Sequence, residues 1–195
     1  MSKKPAGKRA KKPKKASEGA AGEGPGGVFV VQKHAASRLH YDLRLEAGGV
    51  MKSWAVPKGP SFSTKDKRLA VMVEDHAMEY NDFEGVIPEG YGAGTVMVWD
   101  FGSYEALPDK DGPAPEPAEA IAGGFIRFRL DGRKLKGAWK LFKFRGEKNW
   151  LLCKSSDEHV DHERDIVAEE PDSARTGRTM EEIAASGDLY DGHCS

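Results

Sequence analysis

Short runs of alternating apolar and polar residues, each closed by glycine, recur from Gly27 to Lys154, and helical periodicity is nearly absent from that span. Successive side chains of an extended chain point to opposite faces, so such runs pair as half-buried strands. His40 to Glu46 alternates, Ala47-Gly48-Gly49 can turn, and Val50 to Val56 returns, which predicts a hairpin ahead of the breaker Pro57-Lys58-Gly59-Pro60. Leu69–Glu74, Thr95–Trp99, a strand beginning at Tyr104, Phe125–Leu130, Gly137–Phe144 and Trp150–Lys154 bring the total to about eight. That number can close on itself and remove exposed edges. The expected fold is therefore mainly β, a small closed β-barrel of about eight strands with a few short peripheral helices. Four prolines between residues 106 and 124 mark an exposed connection with a local helix near Glu119. The clear helix start is late, where Thr179 and Glu182 form a capping box ahead of Ile183.

Charge is distributed unevenly. Residues 1–17 hold seven lysines and Arg9 and no acid, although the whole chain of 195 residues carries a formal net charge of −1. Such a run cannot bury enough apolar surface to fold, so residues 1–26 are expected to form a disordered basic arm that binds polyanions by releasing counterions. Read blandly, the arm only confers solubility. Residues 27–170 are expected to form the barrel and 171–195 a C-terminal extension with a short helix. No apolar run is long enough to span a bilayer, no secretory signal pattern opens the chain, and Cys153 and Cys194 show no pairing pattern. The expectation is a cytoplasmic, nucleoid-associated protein with no membrane partner.

Potential ligands are densest between Gln32 and Glu46, where His34, His40, Asp42 and Arg44 occur together. On a strand, His40, Asp42, Arg44 and Glu46 share one face while Tyr41, Leu43 and Leu45 pack on the other. Two imidazoles and a carboxylate suit Mn²⁺, Zn²⁺ or Fe²⁺ and leave coordination positions open, as catalytic sites require. The guanidinium of Arg44 adds a donor fork matched to phosphate. The blander alternative is a surface pair with a salt bridge. A second run from Arg68 to Tyr80 puts Arg68, Glu74 and His76 on one side if it stays extended. There His76 and Tyr80 can serve a leaving oxygen or phosphoryl oxygens, and Glu74 can fix a cation. Lys58 in its stiff turn reads, on its own, as an ordinary loop lysine. Asp157, His159, Asp161 and His162 are explained by an acidic solvated loop and are not assigned to a metal.

Several ordered blocks resemble the 3′-phosphoesterase module of bacterial ATP-dependent DNA ligase D. They are VQKHAASRLHYDLRLE from Val31, KSWAVPKGP from Lys52, KRLAVMVEDH from Lys67 and YNDFEGVIPEGYGAGTVMVWD from Tyr80, with DGRKLKGAWKL from Asp131 as a weaker one. The resemblance implies a small β-barrel and a Mn²⁺-dependent activity, with Zn²⁺ or Co²⁺ as alternatives. That activity trims a 3′ ribonucleotide and removes a 3′-phosphate to leave a 3′-OH during DNA repair by non-homologous end joining. It implies His34, His40 and Asp42 as metal ligands and Arg44, His76 and Tyr80 as catalytic groups on the scissile phosphate. Lys58, Arg68 and Glu74 follow as further substrate-binding residues. The implied partners are DNA 3′ ends in a primer-template or broken duplex, alongside separate ligase, polymerase and end-binding repair proteins. Two rivals are a non-haem Fe(II) oxygenase using His40, Asp42 and a distal histidine such as His76, and a non-catalytic DNA-end adaptor.

Overall fold

A computed structural model describes residues 24–90, 92–109 and 112–190. The lysine-rich run of residues 1–17 and Cys194 lie outside the described residues. Among the latter are nine strands: β1 (Gly26–Ala35), β2 (Leu39–Ala47), β3 (Val50–Val56), β4 (Arg68–Met72), β5 (Gly85–Ile87), β6 (Gly94–Leu107), β7 (Phe125–Gly132), β8 (Lys136–Arg145) and β9 (Asn149–Lys154). Three short helices, α1 (Pro117–Ala122), α2 (Ile166–Glu169) and α3 (Met180–Ala185), and a 3₁₀ turn at Met78–Asp82 complete the set. The ladder runs β1-β2-β3-β4-β9-β8-β7-β6, and β6 pairs back onto β1. Eight antiparallel strands thus close a barrel, as expected from the sequence, and β5 is an added edge on β6.

The β2–β3 hairpin forms where the sequence placed it. Gly48 and Gly49 take φ of 63° and 82°, the left-handed pair that matches strand twist in a tight hairpin. That turn fixes the register, setting Arg44 opposite Ser53 and Leu43 opposite Trp54. Inside the barrel lie Trp54, Trp99, Trp139 and Trp150, each at most 1% exposed, with Phe29, Leu45, Met97 and Phe128. Each such side chain removed from water contributes about 1.5–3 kcal/mol. Ile121, Ile166 and Ile183, one from each helix, join the same core. The capping box at Thr179 and Glu182 is present, and the helix it starts buries Ile183 completely.

The strand inventory differs from the sequence reading in three places. β1 and β5 are not among the strands named there. The runs at Thr95 and Tyr104 are one strand, β6, which passes through Gly102 without breaking. A Cβ at Gly102 would stand 2.1 Å from the Asp131 carbonyl oxygen, so glycine here lets β7 pair closely rather than ending the strand. Finally, β4 stops at Met72, and the run does not remain extended on the ladder to Glu74. The backbone instead bonds back to β3, Val73 N–H to the Ser53 carbonyl at 3.0 Å and His76 N–H to the Met51 carbonyl at 3.1 Å. Arg68, Glu74 and His76 therefore do not share one strand face.

Candidate metal centre

β1, β2 and β3 turn their polar residues to the outside of the barrel while Phe29, Val31, Leu43, Leu45 and Trp54 fill its inside. Cross-strand register aligns His34 with His40 and Gln32 with Asp42. The outer face is not bare, because the segment from Asp75 to Ile87 folds over it. Asp42 and Arg44 are consequently 7% and 2% exposed despite pointing away from the core.

His34, His40 and Asp42 each bring one ligand atom into a group whose members all lie within 4.8 Å of one another. No other such group of His, Cys, Asp and Glu occurs among the described residues. Nδ1 of His34 is 3.7 Å from one Asp42 oxygen and Nε2 of His40 is 3.6 Å from the other. The far nitrogens of both rings meet backbone carbonyls at 2.9 Å, His34 Nε2 at Gly92 and His40 Nδ1 at Arg38. A carbonyl only accepts, so in the neutral rings those nitrogens carry the hydrogens. In neutral rings the two nitrogens facing Asp42 are left with lone pairs beside a carboxylate, an arrangement that a cation, a metal ion or an added proton, makes favourable. The donor set therefore fits a divalent metal, and the carbonyls orient the imidazoles as outer partners of metal-bound histidines do.

Arg44 organises the rest. Its Nε donates to Gln32 Oε1 at 2.8 Å, Nη1 to Ser53 Oγ and His76 Nδ1, each at 2.9 Å, and Nη2 to Asp42 Oδ2 at 3.2 Å. The guanidinium also lies 5.1 Å from the centre of the Tyr80 ring, a cation–π contact. Burial pushes the Asp42 carboxyl up, but a hydrogen bond from His34 once that ring takes up a second proton, and the charges of Arg44 and of protonated His40, outweigh it and hold the group below its usual range. His76 is lowered, first by burial and then by the Arg44 charge. Its Nδ1 stands between Arg44, which only donates, and the Glu74 carbonyl at 2.9 Å, which only accepts. The lowered basicity favours a neutral ring, and the neutral tautomer that accepts from Arg44 carries its hydrogen on Nε2.

Tyr80 is 7% exposed in the 3₁₀ turn and sits 5.2 Å from the His76 ring. Its carbonyl accepts from Gln32 Nε2 at 3.0 Å. Beyond it Phe83 and Tyr190 complete an aromatic stack, with centroid distances of 5.6 Å and 5.8 Å from Tyr80. Tyr190 is held by the C-terminal strap, whose backbone bonds to Val86 on both sides. The buried Glu84 carboxylate ties the strap down through Val98 N–H, Ser173, Thr176 and Arg178.

Among the remaining residues singled out from sequence, Lys58 is exposed in the turn after β3 and Arg68 bonds Asp66 at 3.0 Å. β3 ends beside the start of β2, so Lys58 lies at the His40 end of the barrel. Glu74 supplies only its carbonyl to the cluster and Glu46 instead accepts from Val28 N–H. His76 does not stand in the three-ligand group, so it is not the distal histidine of a triad with His40 and Asp42. Asp157 holds the buried Lys154, and Asp161 accepts from two backbone N–H groups, which accounts for that loop. Sequence reasoning did not single out Gln32 and Ser53, which hold Arg44 together with His76 and Asp42.

A closed antiparallel barrel with an outward, roofed His-His-Asp centre beside a buried guanidinium is thus the class of protein at hand. Residues 32–143 match the family described as the DNA Ligase D 3′-phosphoesterase domain, and the chain belongs to that family. It is 50% identical over 158 residues to the multifunctional non-homologous end joining protein LigD of Pseudomonas aeruginosa, covering 78% of this chain and 18% of that protein. The Mycolicibacterium smegmatis protein of the same name is 46% identical over 136 residues, covering 67% of this chain and 17% of the relative. The chain therefore spans under a fifth of the length of these curated relatives.

Proposed function

We propose that this domain is a metal-dependent phosphoesterase that processes DNA 3′ ends, removing a 3′-phosphate and trimming a 3′ ribonucleotide to leave a 3′-OH, in repair by end joining. The observation that carries the reading is the convergence of three ligand atoms on one point beside a buried guanidinium. His34, His40 and Asp42 would hold the cation, Mn²⁺ by preference with Zn²⁺ or Co²⁺ as alternatives. When bound it supplies Lewis-acid polarisation of a phosphoryl oxygen.

The protein's own groups do the remainder. Arg44 holds a positive charge at a fixed place, where preorganised charge is most effective against the negative charge that builds as water displaces the 3′ oxygen. In the tautomer that accepts from Arg44 at Nδ1, His76 carries a hydrogen on Nε2 for a phosphoryl or leaving oxygen. Tyr80 packs against both and closes the site from solvent. Lys58 and Arg68 extend the groove for the nucleic acid at the His40 end, with Glu74 at its edge. Partners on this reading are broken or primer-template DNA ends and the ligase, polymerase and end-binding proteins of end joining, in the cytoplasm at the nucleoid.

The test is phosphate release from a 3′-phosphate primer-template, and shortening of a 3′-ribonucleotide primer, across several divalent metals. His40→Ala and Asp42→Ala should abolish both while the protein stays folded. Full activity in either variant removes the residue from the site. Oxygen uptake stimulated by Fe²⁺ and 2-oxoglutarate, or DNA binding without any released product, would reject the phosphoesterase reading.

A further inference from the structure

Strands on the wall of the barrel that faces away from the metal centre carry two kinds of side chain in parallel rows. Phe125 is in register with Phe142, Phe142 with Leu151, and Leu151 with Leu69, so β7, β8, β9 and β4 each give one apolar residue to a single line. Their neighbours Ile126, Leu141, Leu152 and Ala70 are buried in the barrel, and the alternation of a strand turns the line itself outward. It is accessible: Leu69 is 43% exposed, and Phe144, two residues beyond Phe142 at a bulge in β8, is 57% exposed.

Two residues along the strands, about 7 Å away, Arg127 stands in register with Lys140. Neither has a carboxylate partner among the described residues, nor has Arg145, whose guanidinium lies 5.5 Å from the Phe144 ring. β8, which carries Lys140 and Phe144, is four strands from β2 in either direction around the ring. This face is therefore diametrically opposite the strand that bears His40, Asp42 and Arg44.

We propose that this wall is a binding platform for single-stranded nucleic acid, separate from the metal centre. A row of aromatic and aliphatic side chains offers surfaces on which unpaired bases lie, and an unneutralised row of cations beside it follows their phosphates. A duplex keeps its base faces stacked inside and has nothing to lay on the phenylalanines. A purely apolar partner would leave the cations without counter-charges. An unpaired strand brings both chemistries at once. The platform does not depend on the proposed phosphoesterase activity.

Binding is measured with the full chain in EDTA, using a fluorescein-labelled, hydroxyl-ended oligothymidylate that exceeds a site of about 4–16 nucleotides. Phe144→Ala should weaken binding roughly fivefold or more, the loss of one stacked base. Lys140→Ala should lower the slope of log affinity against log salt by about 0.7, one phosphate contact to a single strand. Photo-cross-links from 4-thiothymidine should fall in residues 140–151. Undiminished affinity in both variants, or cross-links confined to residues 1–17 or to β1–β3, would overturn the proposal. Release of 3′-phosphate from a blunt duplex should be the same in both variants as in wild type, and a parallel loss there would overturn the separation of the two surfaces. Because EDTA and the hydroxyl end remove any need for catalysis, a protein that binds through this wall yet releases no phosphate would sink the functional reading and leave the platform standing.

Discussion

Arg44→Met is the most informative single change, because it keeps much of the side chain's length and removes the charge around which the site is arranged. The guanidinium is 2% exposed and donates to Asp42, Gln32, Ser53 and His76. Without it the Asp42 carboxylate stays buried with no fixed cation, and breaking a buried pair from one side costs about 3–5 kcal/mol. For a chain of this size each kcal/mol moves the melting temperature by about 2–4 °C, so the variant should melt roughly 6–20 °C lower. The loss should shrink on adding Mn²⁺, which returns a positive charge to the same carboxylate. It should grow in acid, for a reason whose sign is fixed. Asp42 is held below its ordinary 3.8, so in wild type its contribution is present above that value and disappears only as pH falls through the lowered one. In the variant one of the lowering charges is gone while burial still pushes the carboxyl up, so unfolding should begin at a higher pH. Thermal melts by circular dichroism from about pH 4 to 8, with and without Mn²⁺, read all three effects. A shift under about 2 °C would refute the claim that this buried cation holds the site together.

Titrating Mn²⁺ to about 100 times its dissociation constant should stabilise the wild type by about 2.7 kcal/mol, and His34→Ala should lose that gain; equal gains in both would remove His34 from the ligands. His76, lowered from 6.5, contributes stability that is full above that value and is lost as pH falls through the lowered one. His76→Asn should therefore flatten the acid side of the stability profile, and parallel wild-type and variant melts below about pH 6.5 would contradict it. Gly102→Ala drives a methyl to within 2.1 Å of the Asp131 carbonyl oxygen and should cost about 2 kcal/mol or more in urea unfolding. An unchanged midpoint would show that β6 and β7 are not packed as described.

How far the fold could be read in advance followed from how each strand is buried. β2 and β3 have one face inside and one polar face, so their alternation is plain, and the Gly48-Gly49 turn fixes their pairing. β1 is buried on both faces along Phe29–Gln32, with Phe29 and Val31 in the barrel core and Val30 against Met51 and Val98 outside it. Alternation vanishes under such double burial, and the strand that positions His34 went unnamed. The continuity of β6 through Gly102 was not legible, because that glycine's role depends on a neighbour that sequence order does not bring close. Of the candidate ligands, His40 and Asp42 were legible from residue type and period, and His34 only from its nearness in sequence and the family resemblance. Gln32 and Ser53 were not, although Ser53 faces Arg44 in the register that the glycine turn dictates. Only the cross-strand view shows that a neutral amide and a hydroxyl hold the guanidinium.

The roof over the centre is anchored from far along the chain. The match to the family model ends at residue 143, yet Tyr190 abuts Tyr80 and Glu84 is latched by Ser173, Thr176 and Arg178. A gene fragment trimmed to residues 32–143 would retain all three candidate metal ligands and still leave its lid without a hasp. The working unit of this domain is thus some tens of residues longer than the stretch that the family model matches.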